Sequence, residues 1–250
     1  MLDVVGGGRS AACPRDQSRP RRCQGAHRSS RDDDLEPSGR IELGDDADNI
    51  RVDAKANKIY VGYGNGALAI VDPVKALKIR DIRLDAHPES FQLDAGGATI
   101  FVNVPKARQI AVVDVAAGKV RTKISPRDVR SNYPMAIDYD KQRVLTVFRN
   151  PPKLITMNSR DGSAMISMDV CGDSDDVFVD QKRYRVYVSC GEGFIDVFDA
   201  VESGYVRSGH IRTVSGARTS LWVPELDRLF VAVRANGAEP AAIWVFRPEQ

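Results

Sequence analysis

Residues 50–91, IRVDAKANKIYVGYGNGALAIVDPVKALKIRDIRLDAHPESF, contain one full unit of a pattern that the rest of the chain repeats. The unit begins with a first run that alternates Ile50 and Val52 with polar neighbours and ends at Asp53, then crosses the polar or small residues AKANK. Ile59-Tyr60-Val61-Gly62 follows, then a glycine turn, an apolar run at 68–72 and a more polar run at 78–84. Short β-branched and aromatic runs bounded by Gly, Asn, Asp and Pro read as strands joined by hairpins. Outward from this unit, the Tyr60 run recurs as Ile100-Phe101-Val102-Asn103, Val144-Leu145-Thr146-Val147, Val186-Tyr187-Val188-Ser189 and Leu229-Phe230-Val231-Ala232. The starts lie 41, 44, 42 and 43 residues apart. The preceding runs end at Asp53, Asp94, Asp138, Asp180 and Pro224. Third strands are expected at 68–72, 110–114, 154–158, 195–199 and 242–246, and fourth strands at 78–84, 119–124, 164–170 and 205–214. Four antiparallel strands per unit of about 42 residues is the spacing of a β-propeller blade. The expected fold is therefore all-β, a β-propeller of about five detectable four-stranded antiparallel blades over residues 38–250.

Residues 1–37 have a different texture, rich in Arg, Ser, Asp and Pro, and no aromatic residue precedes Tyr60. Their apolar spacing fits neither the helical nor the strand period, so the segment is expected to be disordered or aberrant. Cys13, Cys23 and His27 fall here, but C-x9-C-x3-H lacks the close ligand pairs and fourth ligand of a structural zinc site. Residues 1–40 carry eight Arg and six acids, the whole formal charge of +2, and the remaining 210 residues balance 28 bases against 28 acids. A neutral body argues against duplex nucleic acid, whose phosphates select for an excess of Lys and Arg. No apolar run approaches the roughly 18–20 residues of a membrane span. The first residues, MLDVVG, have neither the basic nor the apolar region of a signal peptide.

On the unit quoted above, with its strand, polar turn, YV strand, glycine turn and VxD strand, the chain resembles the YVTN-type, YncE-like β-propeller family across roughly residues 38–247. The Gly-His and Trp-Asp marks of WD repeats are absent. The resemblance implies a bacterial, often exported binding protein, commonly with seven blades. Here five three-strand sets are visible with four internal fourth strands, and residues 39–43 (GRIEL) read as one more outer strand. Pairing that segment with residues 242–246 would close the last blade in a five-bladed ring. Alternatively, residues 1–9 begin a lost blade, and the chain is a damaged version of a longer ring. An open ring would expose sheet edges and invite self-association.

In such a ring the innermost strands line a central channel, and the loops leading into them reach its mouth. These loops read Asp46-Ala47-Asp48-Asn49, His87-Pro88-Glu89-Ser90, Ser131-Asn132-Tyr133-Pro134, Asp173-Ser174-Asp175-Asp176 and Ala217-Arg218-Thr219-Ser220. Loops on a rigid scaffold commonly carry binding residues. Three readings remain open. The side chains cap strands and form Asx turns. They form a site for a small molecule, peptide or protein, with Arg218 clamping an anion and His87 or Tyr133 orienting it; Asp46, Asn132 and Ser220 complete this mouth. Or Asp48, Asn49, Glu89, Asp175 and Asp176 hold Ca2+ or Mg2+ through hard oxygen ligands. The last would suit a lactonase-like hydrolase, by analogy with gluconolactonase-like propellers; a quinone-dependent dehydrogenase lacks any cofactor motif. No GxSxG or HExxH occurs, the glycine turns at 62–66 and 191–193 precede no helix, and His210 falls on an outer strand. Cys171 and Cys190 flank a predicted strand pair whose ends meet at one edge. A disulfide there would place the protein in the periplasm or outside the cell; two free thiols would leave the cytoplasm open.

Overall fold

The computed structural model describes residues 2–4 and 40–249 except 238. They form twenty strands, from β1 (Leu2–Val4) to β20 (Ala242–Pro248), with one 3-10 turn at Pro105–Ala107 as the only helix among the described residues. Sheet one is β2 (Asp48–Asp53), β3 (Lys58–Tyr63), β4 (Ala67–Asp72) and β5 (Leu77–Arg83). Sheet two is β6 (Phe91–Leu93), β7 (Thr99–Val104), β8 (Gln109–Asp114) and β9 (Lys119–Ile124). Sheet three is β10 (Arg130–Asp138), β11 (Arg143–Asn150), β12 (Pro152–Asn158) and β13 (Ile166–Asp169). Sheet four is β14 (Ser174–Asp180), β15 (Arg185–Cys190), β16 (Phe194–Val201) and β17 (Gly204–Arg212). Sheet five joins β18 (Ser220–Val223), β19 (Arg228–Val233) and β20 to β1. The architecture is all-β: five four-stranded antiparallel sheets in a propeller-like arrangement.

The recurring aspartates explain the hairpins. The Asp53 carboxylate accepts the Lys55 and Ala56 amides at 3.0 Å, and Asp94, Asp138 and Asp180 take equivalent amides of their own turns. These Asx bonds hold four turns while one residue in each, Asn57, Gly97, Gln142 or Tyr184, adopts positive φ; the fifth turn, from Pro224, places Asp227 at positive φ with backbone bonds alone. Asp72 and Asp114 do the same after the third strand, whereas Asp199 instead meets Arg185 at 2.9 Å.

Strand alternation then gives each sheet two apolar faces. Sheets one and two share a core that includes Tyr60, Leu68, Phe91 and Ile100; sheets two and three share Phe101, Val112, Met135 and Ile155. Sheets three and four share Leu145, Leu154, Val188 and Phe198; sheets four and five share Tyr187, Ile195, Trp222 and Phe246. Full burial of side chains of this size contributes about 1.5–3 kcal/mol each. Polar ties reinforce the junctions, including Gln92 to the Met135 carbonyl (2.9 Å) and Arg183 to Asp227 (2.7 and 2.8 Å).

Two expectations about the chain start are corrected. The strand beside β20 is Leu2–Val4, with Val4 opposite Phe246, and not residues 39–43. Residues 40–43 form no strand; Ile41 and Leu43 pack on Val61, Ala69 and Val71 of sheet one, so their apolar spacing serves packing. Residues 2–4 of the segment expected to be disordered therefore contribute a strand. Cys13, Cys23 and His27 lie outside the described residues. No described helix is long and apolar enough to cross a membrane.

Candidate functional site in the central cavity

The lead-in loops acquire their geometry from β-bulges. In β2 the register skips Asn49, in β10 it skips between Asn132 and Met135, and in β14 it skips Asp175. A left-handed residue accompanies each bulge: Asn49 itself (φ 50°), Ser131 (φ 66°) and Asp173 (φ 58°). An extra residue at a bulge bends its strand and re-aims the side chain. Asn49, Tyr133, Pro134 and Asp175, the unpaired residues, all face one cavity.

That cavity has a volume of about 540 Å³ and draws on every sheet. Sheet one supplies Asp48, Asn49 and Arg51, sheet two Glu89, Ser90 and Gln92, and sheet three Tyr133, Met135, Ile137 and Tyr139 among others. Sheet four supplies Asp175, Asp176, Phe178 and Gln181, and Thr219 stands at the approach to sheet five.

Its charges fall into two groups. In the first, Asp173 and Asp175 are held between two guanidinium groups. Arg149 pairs with Asp175 and reaches Asp173 at 3.4 Å, donates to the Ser174 carbonyl at 2.7 Å, and lies over the Tyr133 ring at 4.2 Å. Arg218 meets Asp173 at 2.5 Å and Asp175 at 3.3 Å. Two acids and two bases cancel, so this cluster organises the mouth without leaving a net charge.

The second group has no close ion pair. Asp176 accepts the Ser220 amide at 2.7 Å, yet burial, with Asp175 adding repulsion, pushes its carboxyl up to about 6. Burial also raises Glu89, with Asp48 and Asp175 adding to the effect against His87 and Arg149. Asp176, Glu89 and Asp48 form no salt bridge with Lys or Arg among the described residues, although Arg51 attracts Asp48 and Arg149 attracts Glu89 at longer range. Arg51, the one basic side chain lining the cavity, is lowered by burial and committed to Gln92 (3.2 Å), Ser90 (3.4 Å) and the Ile50 carbonyl (2.8 Å).

Six of the sequence-derived candidates therefore line the cavity: Asp48, Asn49, Glu89, Tyr133, Asp175 and Asp176. Five do not. Asn132 is fully buried and donates to Asn103 (2.8 Å) and to the Gln109 carbonyl (3.1 Å), because the bulge turns it into the sheet-two junction. His87 is bonded through Nδ1 to the Gly64 carbonyl at 2.6 Å, with Asp46 at 3.5 Å from the same atom. Arg218 is paired with Asp173 through Nη1 and with Asp175 through Nε, outside the cavity lining; Ser220 serves Asp176 and Ser189. Asp48, Asn49, Glu89, Asp175 and Asp176 share the cavity, but among the described residues no three of His, Cys, Asp and Glu group closely enough to hold a metal ion.

Arg149, Arg51, Gln92 and Tyr139 were missed. Arg149 stands where the first and fourth units have Gly64 and Gly191, and that difference was the available signal. Away from the cavity, Cys171 and Cys190 form a disulfide with Cα atoms 5.8 Å apart. His210 is half exposed, stacked 4.0 Å from Phe194, with Nδ1 2.5 Å from buried Asp196, which also accepts the Cys171 amide (2.8 Å). Asp196 thus serves as a structural anchor beside the disulfide.

No known protein family's sequence profile matches this chain, and no curated protein matches it. Among solved structures, hydrazine synthase of Kuenenia stuttgartiensis superposes with a TM-score of 0.68 at 13% identity. The match covers 81% of this chain and 72% of that one. At that identity the likeness concerns the fold alone.

Proposed function

We propose that this chain is a β-propeller binding module of YVTN-like kind, exported from a bacterial cell, whose central cavity receives a positively charged small molecule or peptide group. One observation carries the ligand class: Asp176, Glu89 and Asp48 bring three carboxylates to one cavity without a salt bridge to Lys or Arg among the described residues. Ionising such groups away from bulk water is unfavourable until a cation arrives, so an ammonium or guanidinium group gains both Coulomb attraction and charge-assisted hydrogen bonds. Tyr133, Tyr139 and Phe178 line the same cavity and offer aromatic faces to the ligand's apolar portion. The Arg149–Asp173–Asp175–Arg218 cluster repels neither sign and fixes the mouth. Support for export comes from the Cys171–Cys190 disulfide, which an oxidising compartment maintains.

The test is calorimetric titration at pH 7.5 with alkylammonium, guanidinium and polyamine ligands, set against carboxylates of equal size and against Ca2+ and Mg2+. Cationic organic ligands should bind, and Asp176→Asn combined with Glu89→Gln should weaken them at least tenfold. Preferential binding of carboxylates, or cation binding indifferent to both substitutions, would overturn the proposal. Tight Ca2+ or Mg2+ binding without organic cations would move the site to the metal reading.

A further inference from the structure

The cavity lining contains one group that a simple cation leaves unused, the guanidinium of Arg51. Its Nε donates to Gln92 (3.2 Å), Nη1 to the Ile50 carbonyl (2.8 Å) and Nη2 to Ser90 (3.4 Å), all neutral oxygens. It forms no ion pair among the described residues, and Asp48 attracts it only at longer range. Burial disfavours its charge, yet arginine does not relieve that by losing its proton. A buried charge without a counter-ion carries a cost that an arriving anion removes. Three of the five N–H donors are used, which leaves one on each Nη for the two oxygens of a carboxylate. Gln92 is itself held by the Met135 carbonyl at 2.9 Å, so its oxygen fixes the guanidinium in place.

The innermost strands set the distance from this group to the carboxylates. Arg51, Gln92 and Phe178 each stand two positions before the residue that ends the strand, Asp53, Asp94 or Asp180. Asp176 stands four before Asp180, and Ser220 four before Pro224. Bonds between sheets join residues of equal count, Arg51 to Gln92 and Ser220 to Asp176, so the levels correspond around the cavity. Asp176 therefore lies two residues, about 7 Å along the strand, from the level of Arg51. Met135, Val177 and Phe178 line the stretch between these levels, so acid, apolar wall and base follow one another down the cavity.

We propose that the ligand is a zwitterion, its ammonium group held by Asp176 and Glu89, its carboxylate by Arg51, and its apolar spacer by Met135, Val177 and Phe178. The inference rests on the cationic reading of the cavity and narrows it. A site for a simple cation gains nothing from a guanidinium, which repels that ligand. A site for a zwitterion needs both charges, held apart so that they do not neutralise each other. The separation of about 7 Å is the reach of two extended residues, so a free dipeptide or an ω-amino acid of similar length fits.

The experiment is calorimetric titration of the full chain at pH 7.5 with 6-aminohexanoate, its methyl ester, hexylamine and glycine. The ester and the amine keep the ammonium group and lose the negative charge, and glycine keeps both charges too close together. In the wild type, 6-aminohexanoate should bind at least tenfold more tightly than each of the other three. Arg51→Gln should abolish its advantage over the ester and the amine, and hexylamine should bind this variant more tightly because a like charge has gone. The wild-type comparison needs no substitution, so it decides the matter even where Arg51→Gln fails to fold. Amine and ester binding as tightly as 6-aminohexanoate would overturn the inference and leave the cationic reading standing. No binding by any of the cations would overturn both. An advantage for 6-aminohexanoate that survives Arg51→Gln would remove Arg51 from the site and sink the inference as stated.

Discussion

Replacing Asp176 by Asn should stabilise the fold while weakening the cavity's affinity for cations. The carboxyl of Asp176 is raised from the ordinary 3.8 to about 6, with burial as the main cause and Asp175 adding to it. The folded protein therefore holds this proton more tightly than the unfolded chain does. That contribution is fully present below about pH 4 and is lost progressively as pH rises through 6, above which the buried carboxylate carries a constant penalty. Two powers of ten in acidity correspond to a ceiling of about 3 kcal/mol, and contact with the open cavity reduces this to about 2 kcal/mol. Asparagine keeps an oxygen to accept the Ser220 amide and removes the charge. Urea unfolding at pH 8 should show Asp176→Asn more stable than wild type by about 1–2 kcal/mol, with the difference shrinking as pH falls and closing below about pH 4. For a chain of this length that gain raises Tm by about 2–8 °C. Destabilisation by similar amounts at both pH values would refute the reasoning, because it would mean that the carboxylate's hydrogen bonds outweigh its burial.

Asp227→Asn should cost about 1–2 kcal/mol at pH 7, since paired hydrogen bonds from Arg183 hold the Asp227 carboxyl down at about 2. Its contribution is present above the unfolded value near 3.8 and fades as pH falls toward 2, so the difference from wild type should vanish in an acid titration followed by circular dichroism. Reducing the Cys171–Cys190 bond, or replacing both residues with Ser, opens a loop of 19 residues. The chain-entropy argument gives a loss of about 3 kcal/mol, read as a lower urea midpoint under reducing conditions that is absent in the double variant.

The sheets were legible because three local signals agree in every unit: alternating apolar residues, a turn-capping aspartate and a second strand of buried β-branched residues. Asp53, Asp94, Asp138 and Asp180 recur at the ends of the first runs because their carboxylates bond amides within the same turn, a purely local event. The partner of β20 was not legible on the same grounds. GRIEL and LDV are both short extended segments, and an outer strand is held mainly through backbone bonds, which carry no sequence code. What decides between them is long-range: Ile41 and Leu43 have an apolar face of sheet one to cover, and this removes their segment from competition for the edge.

The cavity follows the same division. Its location was readable, since the repeat fixes where each chain segment enters its innermost strand, and Asp48, Glu89 and Asp176 were found on that basis. Side-chain direction was not readable, because a bulge changes it without changing composition. Tyr133 and Asn132 are neighbours in one loop, yet the bulge after Asn132 sends the first into the cavity and the second into a buried amide network with Asn103. The pairing of charges was also hidden. Read along the chain, Asp173, Asp175 and Asp176 look equivalent. In space, Arg149 and Arg218 neutralise the first two and leave the third without a basic partner. The distinction between a scaffold carboxylate and a ligand-binding one thus rests on two arginines contributed from different sheets, and an acidic loop acquires a function only after those partners are assigned.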